Sequence, residues 1–457
     1  MTIVQELAVF AEKASFEDLS QDALREVKIR VLDSIGCAIG AVEGAPIRRI
    51  KEHIDDFGGA PLVTLIGGGK TSPDRAALYN SALVRYLDYN DSYLAKKETC
   101  HPSDNIGSVL AGAEFSGSHG KDFITAVALA YQIQCKLSDV APVRHKGFDH
   151  TVQGAYGAAA GVAKALKLNQ EQIANAIAIS ATAYNALRVT RTGNLSNWKG
   201  LAFPSTGWTS THSAFLAMRG ITGPEEVFEG NKGFMDAIAG EFSVDWSQEN
   251  LEKVTGTIIK KYNAEIHSQS TLEGLIEWRN ESNINPEDID SIELETFDVA
   301  YHIIGGGEEG GKKLIRTKEE ADHSLPYMMA AAILDGQVLP AQYHPERIVK
   351  DDIQTLLQKV HVSENQSYSA QFPQQEAISI RITMKDGQIF DIAKIDYEGF
   401  HTRPASWGMV RKKFDMLASP FADEVLRQNI FDVISNLEDH PIDELTRLLA
   451  QVRRVAR

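Results

Sequence analysis

AISIRITMKDGQIFDIAKIDY, residues 377–397, alternates apolar and polar side chains on either side of Asp386-Gly387. A period of two is that of a strand with one buried face, and Asp-Gly between two such runs marks a tight hairpin. SIELETF, residues 291–297, alternates in the same way. Between these runs lie EADHSLPYMMAAAILDG and RIVKDDIQTLLQKV, both with helical spacing. Residues 265–401 therefore read as a small α+β unit.

On both sides of that unit the chain reads as helix. SQDALREVKIRVLDSIGCAIGA sets Leu24, Val27, Val31, Ile35 and Ile39 at helical intervals. KDFITAVALAYQIQCKL, VQGAYGAAAGVAKALKL and NQEQIANAIAISATAYNALR continue the pattern, so rich in alanine and glycine that their backbones should pack closely. After GFHTRPAS the helical period returns in VRKKFDML, DEVLRQNIFDVISNL and IDELTRLLAQVRR. The expected fold is mostly α: a large all-helical domain, residues 1–264 and 402–457, with a smaller α+β domain inserted at 265–401.

Composition narrows the function. The formal charge of −16 over 457 residues makes nucleic acid or an anionic membrane a poor partner. No apolar run reaches the ~18–20 residues that span a bilayer, and the N-terminal sequence does not have the pattern of a secretory signal. Three widely spaced cysteines, Cys37, Cys100 and Cys135, fit reduced thiols in a cytoplasmic protein and give no cluster-binding spacing. The glycines of 58–69 match no phosphate-binding fingerprint.

Chemistry concentrates in a few stretches. YLDYNDSYLAKKETCHPSDNIG, residues 86–107, runs polar and titratable between two apolar segments. If the preceding helix continues to residue 92, Asp88, Asp91 and Ser92 share one face. His101 follows, just before the start of the next helix, where free N–H groups favour anions. Asp104 reads as an ordinary helix cap, and His101 with Asp104 offers too few ligands for a metal. In RHKGFDHTVQGAYGAAAG, His150 heads a helix of small residues, while His145 and Lys146 read as solvated loop. ALRVTRTGNLSNWKGLAFPSTGW carries Arg188, Arg191 and Lys199, cations suited to carboxylates. His267 stands in KYNAEIHSQS, and His323 and Tyr327, four apart in ADHSLPYMM, are expected on one helix face. Histidine, aspartate, lysine, arginine and tyrosine without a cofactor motif point to acid–base chemistry on a small polyanion.

LDYNDSYL with HPSDNIG, then FDHTVQGAYGAAAG, KYNAEIHSQSTLEG, ADHSLPYMMAAAILDG and GFHTRP with KKFDML, taken in this order, resemble the MmgE/PrpD family. That family includes 2-methylcitrate dehydratase and cis-aconitate decarboxylase. The resemblance implies a helical domain with an α+β lid, a homodimer, and neither metal nor other cofactor. It puts Asp88, Ser92, His101, Lys199 and Tyr327 at active-site positions, with His150 an approximate match and His267 and His323 at well-marked positions. The motifs lean toward the 2-methylcitrate dehydratase branch. Ser92-Tyr93, Trp198 ahead of Lys199, and Pro204 depart from that branch's threonine–tryptophan, lysine-then-tryptophan and glycine.

The resulting expectation is a cytoplasmic carbon–oxygen lyase of propionate metabolism, dehydrating 2-methylcitrate or citrate. Its catalytic residues would be His101, His150, Lys199, Tyr327 and Asp88. Asp88 would hold the His101 tautomer, and Tyr327 would assist the leaving hydroxyl. Ser92, Asp91, Arg188, Arg191, His267 and His323 would bind substrate. Decarboxylation of cis-aconitate and epimerisation beside a carboxylate share the same intermediate charge and stand as alternatives; a silent binding protein would not need to keep these residues.

Overall fold

The computed structural model describes residues 1–282 and 284–455. The chain is mostly α-helical, with one four-stranded sheet and two two-residue hairpins among the described residues. It divides into two compact units. The first comprises residues 1–189, 200–257 and 406–457; the second comprises residues 190–199 and 258–405.

In the first unit, helices Gln21–Gly40, Pro73–Tyr86, Ile106–Ser116, Gly120–Val140, Thr151–Ala165 and Gln170–Ala183 build the core. Their ends follow local chemistry. Ser20 Oγ accepts the Ala23 N–H at the start of the first, and Gly117, at φ 63°, closes Ile106–Ser116 in the left-handed conformation. Small residues set the spacing between helices. A Cβ on Gly157 would lie 2.8 Å from the Ala130 carbonyl, and one on Gly161 would lie 2.9 Å from both Ala130 Cβ and Val109 Cγ2. Helix Thr151–Ala165 therefore lies against Gly120–Val140 with almost no side chain between them. Around the glycines of 58–69, Val63–Thr64 pairs with Lys70–Thr71 in a short hairpin.

In the second unit the sheet runs in the order Val360–Glu364, Ile289–Thr296, Ile378–Met384, Ile389–Lys394. The first two are parallel, with Ile292 opposite Val360. The last two form the antiparallel hairpin around Asp386-Gly387, with Ile380 opposite Ile392. Ile292 and Leu294 are buried between half-buried or exposed neighbours, with Ile289 set off from them by an irregularity before Ser291, and Ile378, Ile380 and Ile382 alternate with half-buried or exposed residues along the hairpin strand. Their buried face is covered by helices Gln269–Glu281 and Leu325–Asp335.

Two local expectations fail. Helix Pro73–Tyr86 stops before the polar stretch, and Asp88 takes φ 58° just past its end. Aspartate tolerates this left-handed conformation better than most side chains, and it turns the chain out of the helix. Asp88, Asp91 and Ser92 are thus not one helical face. Likewise His323 precedes the helix it was expected to share with Tyr327, because Ser324 Oγ caps that helix by accepting the Tyr327 N–H.

Candidate active site

Freed from the helix, residues 88–105 fold into a compact polar core of the first unit. Strands Tyr93–Leu94 and Thr99–Cys100 pair as a short hairpin and deliver His101 back beside Asp91 and Ser92. His101 Nδ1 lies 2.9 Å from Ser92 Oγ and 2.9 Å from the Asp91 carbonyl. A carbonyl can only accept, so Nδ1 carries the proton and Nε2 has the lone pair when the ring is neutral. At Nδ1 the Asp91 carbonyl takes the tautomer-setting place expected for Asp88. The Asp88 carboxylate pairs with the buried Arg85 guanidinium, which also lies 3.6 Å from Asp104.

The Asp91 side chain is fully buried. It accepts the Ser103 N–H at 3.1 Å and the Tyr131 hydroxyl at 2.8 Å. Burial still pushes its carboxyl above the ordinary aspartate value, with those hydrogen bonds and Arg30 opposing. Asn90 donates to Ser103 Oγ and to Asp104, each at 2.8 Å, so Asp104 is a partner within this network rather than a helix cap.

His150 stands at the start of helix Thr151–Ala165, its ring edge-on to that of His101 with centroids 5.3 Å apart. Asp149 Oδ1 lies 3.5 Å from His150 Nδ1, and Asp149 Oδ2 lies 3.8 Å from the Arg188 guanidinium. Two backbone bonds, Asp149 N–H to Ala186 and Arg188 N–H to Gly147, hold those segments together. Glu98 ties the adjoining turn to the hairpin by accepting the Val143 and Arg144 N–H groups, each at 2.9 Å. Asp91, Ser92, His101, His150 and Arg188 therefore belong to one continuous network in this unit. His145 and Lys146 are exposed, as expected.

In the second unit a different cluster forms around Asp322, which is fully buried. Lys199 and Lys318 donate to its two oxygens, each at 2.6 Å, and His323 Nδ1 lies 3.0 Å from Oδ1. Although burial alone would raise it, the lysines and His323 hold this carboxyl far below the ordinary range. Arg191, also buried, donates to the Lys199 carbonyl at 3.3 Å. The Glu265 N–H bonds to the Asp322 carbonyl at 3.1 Å, which brings His267 and its partner Glu265 next to the cluster. Tyr327 points elsewhere: its hydroxyl donates to the Gln342 carbonyl and its ring lies 6.0 Å from that of Tyr343. That proton reaches a leaving group only if the bond to Gln342 breaks.

The MmgE/PrpD N-terminal domain model matches residues 5–247, and the MmgE/PrpD C-terminal domain model matches residues 262–439. The chain belongs to the MmgE/PrpD family. Its relatives include the 2-methylcitrate dehydratase of Escherichia coli (strain K12) and that of Salmonella typhi, each 27% identical over 467 residues with 94% of both chains covered. The cis-aconitate decarboxylase of Mus musculus is 24% identical over 461 residues, covering 94% of this chain and 90% of its own. This family and these dehydratase relatives make the chain an enzyme of the hydro-lyase type.

Sequence reasoning missed the carboxylates that serve the histidines. Asp149, Glu265 and Asp322 stand one or two residues ahead of His150, His267 and His323, and the repeated "DH", "EIH", "DH" pattern was a signal available to be read. Asn90 and Tyr131 carried no such signal, since only folding brings them to Asp104 and Asp91, and Arg85 meets Asp88 because the helix ends between them.

Proposed function

We propose that this MmgE/PrpD enzyme dehydrates 2-methylcitrate or a close tricarboxylate such as citrate, without a metal or other cofactor. The observation that carries the reading is the imidazole pair His101 and His150, 5.3 Å apart, with different groups at their two Nδ1 atoms. His101, its Nδ1–H committed to a carbonyl, offers Nε2 as the base that takes a proton from the carbon next to a carboxylate. The charge then resides on that carboxylate as an enediolate, and cations stabilise it. His150, with the Asp149 carboxylate beside Nδ1, is suited to protonate the departing hydroxyl, which leaves as water. The product is 2-methyl-cis-aconitate from 2-methylcitrate, or cis-aconitate from citrate.

Ser92 and Asp91 hold His101, and Asp88 shapes the turn that carries them. Arg188 and Arg191, with Lys199, His267 and His323, are assigned to substrate carboxylates; the two lysines and His323 around one aspartate make a cluster with excess positive charge, suited to an anion. Tyr327 keeps the assisting role only if it leaves Gln342. The α+β unit, residues 265–401 in the sequence reading, is assigned the part of a lid, and the assembly that of a cytoplasmic homodimer in propionate metabolism. No helix of the described residues is long and apolar enough to cross a membrane.

Proton NMR of chelator-treated enzyme with 2-methylcitrate, citrate and cis-aconitate in parallel tests the proposal. Formation of 2-methyl-cis-aconitate or cis-aconitate from the hydroxy acids is the expected result and ranks the substrates. Itaconate formed from cis-aconitate would move the reaction to decarboxylation, as in the mouse relative's name. No change in any of the three would overturn the substrate assignment.

A further inference from the structure

The Glu265 carboxylate accepts two N–H groups of one residue. Oε2 takes the His267 backbone N–H at 2.8 Å, and Oε1 lies 2.6 Å from His267 Nδ1. Both residues are buried, and the rest of the imidazole is confined by aromatic rings. Phe297 and Phe372 stack on each other with centroids 4.8 Å apart, and each lies within 5.8 Å of the His267 ring centre. The backbone approach is fixed as well, because Gln269 Oε1 accepts the Lys261 and Tyr262 N–H groups at 3.0 Å. An imidazole held on one nitrogen by a carboxylate and at its sides by two rings has one tautomer and one orientation.

The charged surroundings reinforce this. Glu265 is held down to about 2: burial opposes, but His267, His323 and Lys260 favour the ionised form. A second buried carboxyl, Glu376, is near enough to feel the Glu265 charge; burial and that charge push it well above the ordinary glutamate value, against hydrogen bonds from the Ser270 hydroxyl, at 3.3 Å, and the Ser270 backbone. The two neighbouring carboxyls are thus shifted in opposite directions, and the one favoured in its charged form is the member that faces His267.

We infer that Glu265 is a positioning residue that fixes His267 with its proton on Nδ1, so that the lone pair of the neutral ring is on Nε2. The role of His267 toward substrate rests on the dehydratase reading above; the tautomer does not. Asp149 beside His150 and Asp322 beside His323 repeat the arrangement with longer contacts, at 3.5 and 3.0 Å. Glu265 grips both the ring and the backbone of its histidine.

The test uses the full-length protein labelled with 15N-histidine, its His267 signals assigned by loss in His267→Gln. In the substrate-free wild type, Nδ1 of His267 is expected to carry a proton throughout pH 5 to 9; an unprotonated Nδ1 at pH 8 overturns the proposal without any variant. Glu265→Gln is expected to lose that fixed signature and to lower kcat about 10- to 100-fold. Glu265→Asp, which keeps the charge, should recover part of the loss, an outcome that separates charge from packing. In a His267→Gln background, Glu265→Gln should cost almost nothing further, since its effect runs through the ring. A full second loss there would overturn the positioning role. Absence of turnover in the wild type would remove the dehydratase reading and leave the NMR result to decide the tautomer.

Discussion

Asp91 and Asp322 are both fully buried, and their surroundings treat them in opposite ways. Asp91, in the helical unit, meets neutral donors: a backbone N–H and a tyrosine hydroxyl. Those bonds satisfy its oxygens without replacing the hydration of a full charge, and burial pushes the carboxyl up. Asp322, in the unit that carries the sheet, meets two ammonium groups and an imidazole and stays ionised far below the usual range. The difference teaches where each kind of chemistry can sit. Around Asp91 the bonds come from neutral donors, and the proposed function puts proton exchange by His101 there. Around Asp322 the donors are cationic, and the proposed function puts the substrate's carboxylates there.

The strongest way to break this contrast is to remove His101, the residue proposed to carry the proton, from the surroundings of Asp91. His101→Gln keeps a polar side chain near Ser92 and the Asp91 carbonyl but has no titratable nitrogen. Turnover of whichever hydroxy acid is processed should fall about 10²- to 10⁴-fold, with the melting temperature little changed. Steady-state kinetics alongside thermal unfolding measures both. Full turnover in this variant would take proton transfer away from His101.

The next largest effect is expected in the cation-rich region. Asp322→Ala leaves Lys199, Lys318 and His323 around a buried site from which the anion has been removed. Breaking one side of such a buried pair costs about 3–5 kcal/mol. Denaturant unfolding should report a loss of that order. A loss below about 1 kcal/mol would mean that water, not the aspartate, already solvates these cations.

How far the sequence discloses this contrast depends on the range of the interaction. The alternation in SIELETF and AISIRITMKDGQIFDIAKIDY was enough to read one strand and the hairpin, and small residues at helical spacing were enough to read close-packed helices. VHVSE, which adds the parallel edge strand, is too short and too polar to be read that way. The motif residues themselves were legible, and so were the carboxylates one or two positions ahead of His150, His267 and His323, but the partners that only folding brings in were not. The expected helix through residue 92 failed because Asp88 could turn the chain at positive φ, an option that helical periodicity does not register. The Asp322 cluster was hidden for another reason. Lys199 lies 123 positions away in sequence, and nothing near "ADH" shows that a lysine will arrive there.

A smaller effect sharpens the neutral side. Asp91→Asn keeps one oxygen for the Tyr131 hydroxyl or the Ser103 N–H and removes a carboxyl that burial already disfavours in its charged form. It should cost about 1 kcal/mol at neutral pH, the scale of one altered hydrogen bond. Calorimetric melting of Asp91→Asn beside Asp322→Asn gives the comparison directly; equal losses in the two variants would mean that Asp91 is as fully ionised as Asp322.

The last prediction follows from the opposite shifts and concerns how those differences change with pH. Asp322 has a folded-state value below its unfolded one, ~3.9, so its contribution to stability is present above about pH 4 and fades as pH falls from there toward the folded value. The stability gap between wild type and Asp322→Asn should therefore close on acidification below about pH 4. Asp91 is raised, and the sign reverses. The folded state binds its proton more tightly than the unfolded chain does, so its contribution is present at low pH and is lost as pH rises from about 4 through the folded value. Asp91→Asn, which cannot lose a proton, should gain on wild type over that same rise. Unfolding curves at pH 3, 5 and 7 for the three proteins separate the two behaviours. If both gaps move in the same direction with pH, the two aspartates share one electrostatic environment, and the division between a proton-handling region and an anion-holding region fails with it.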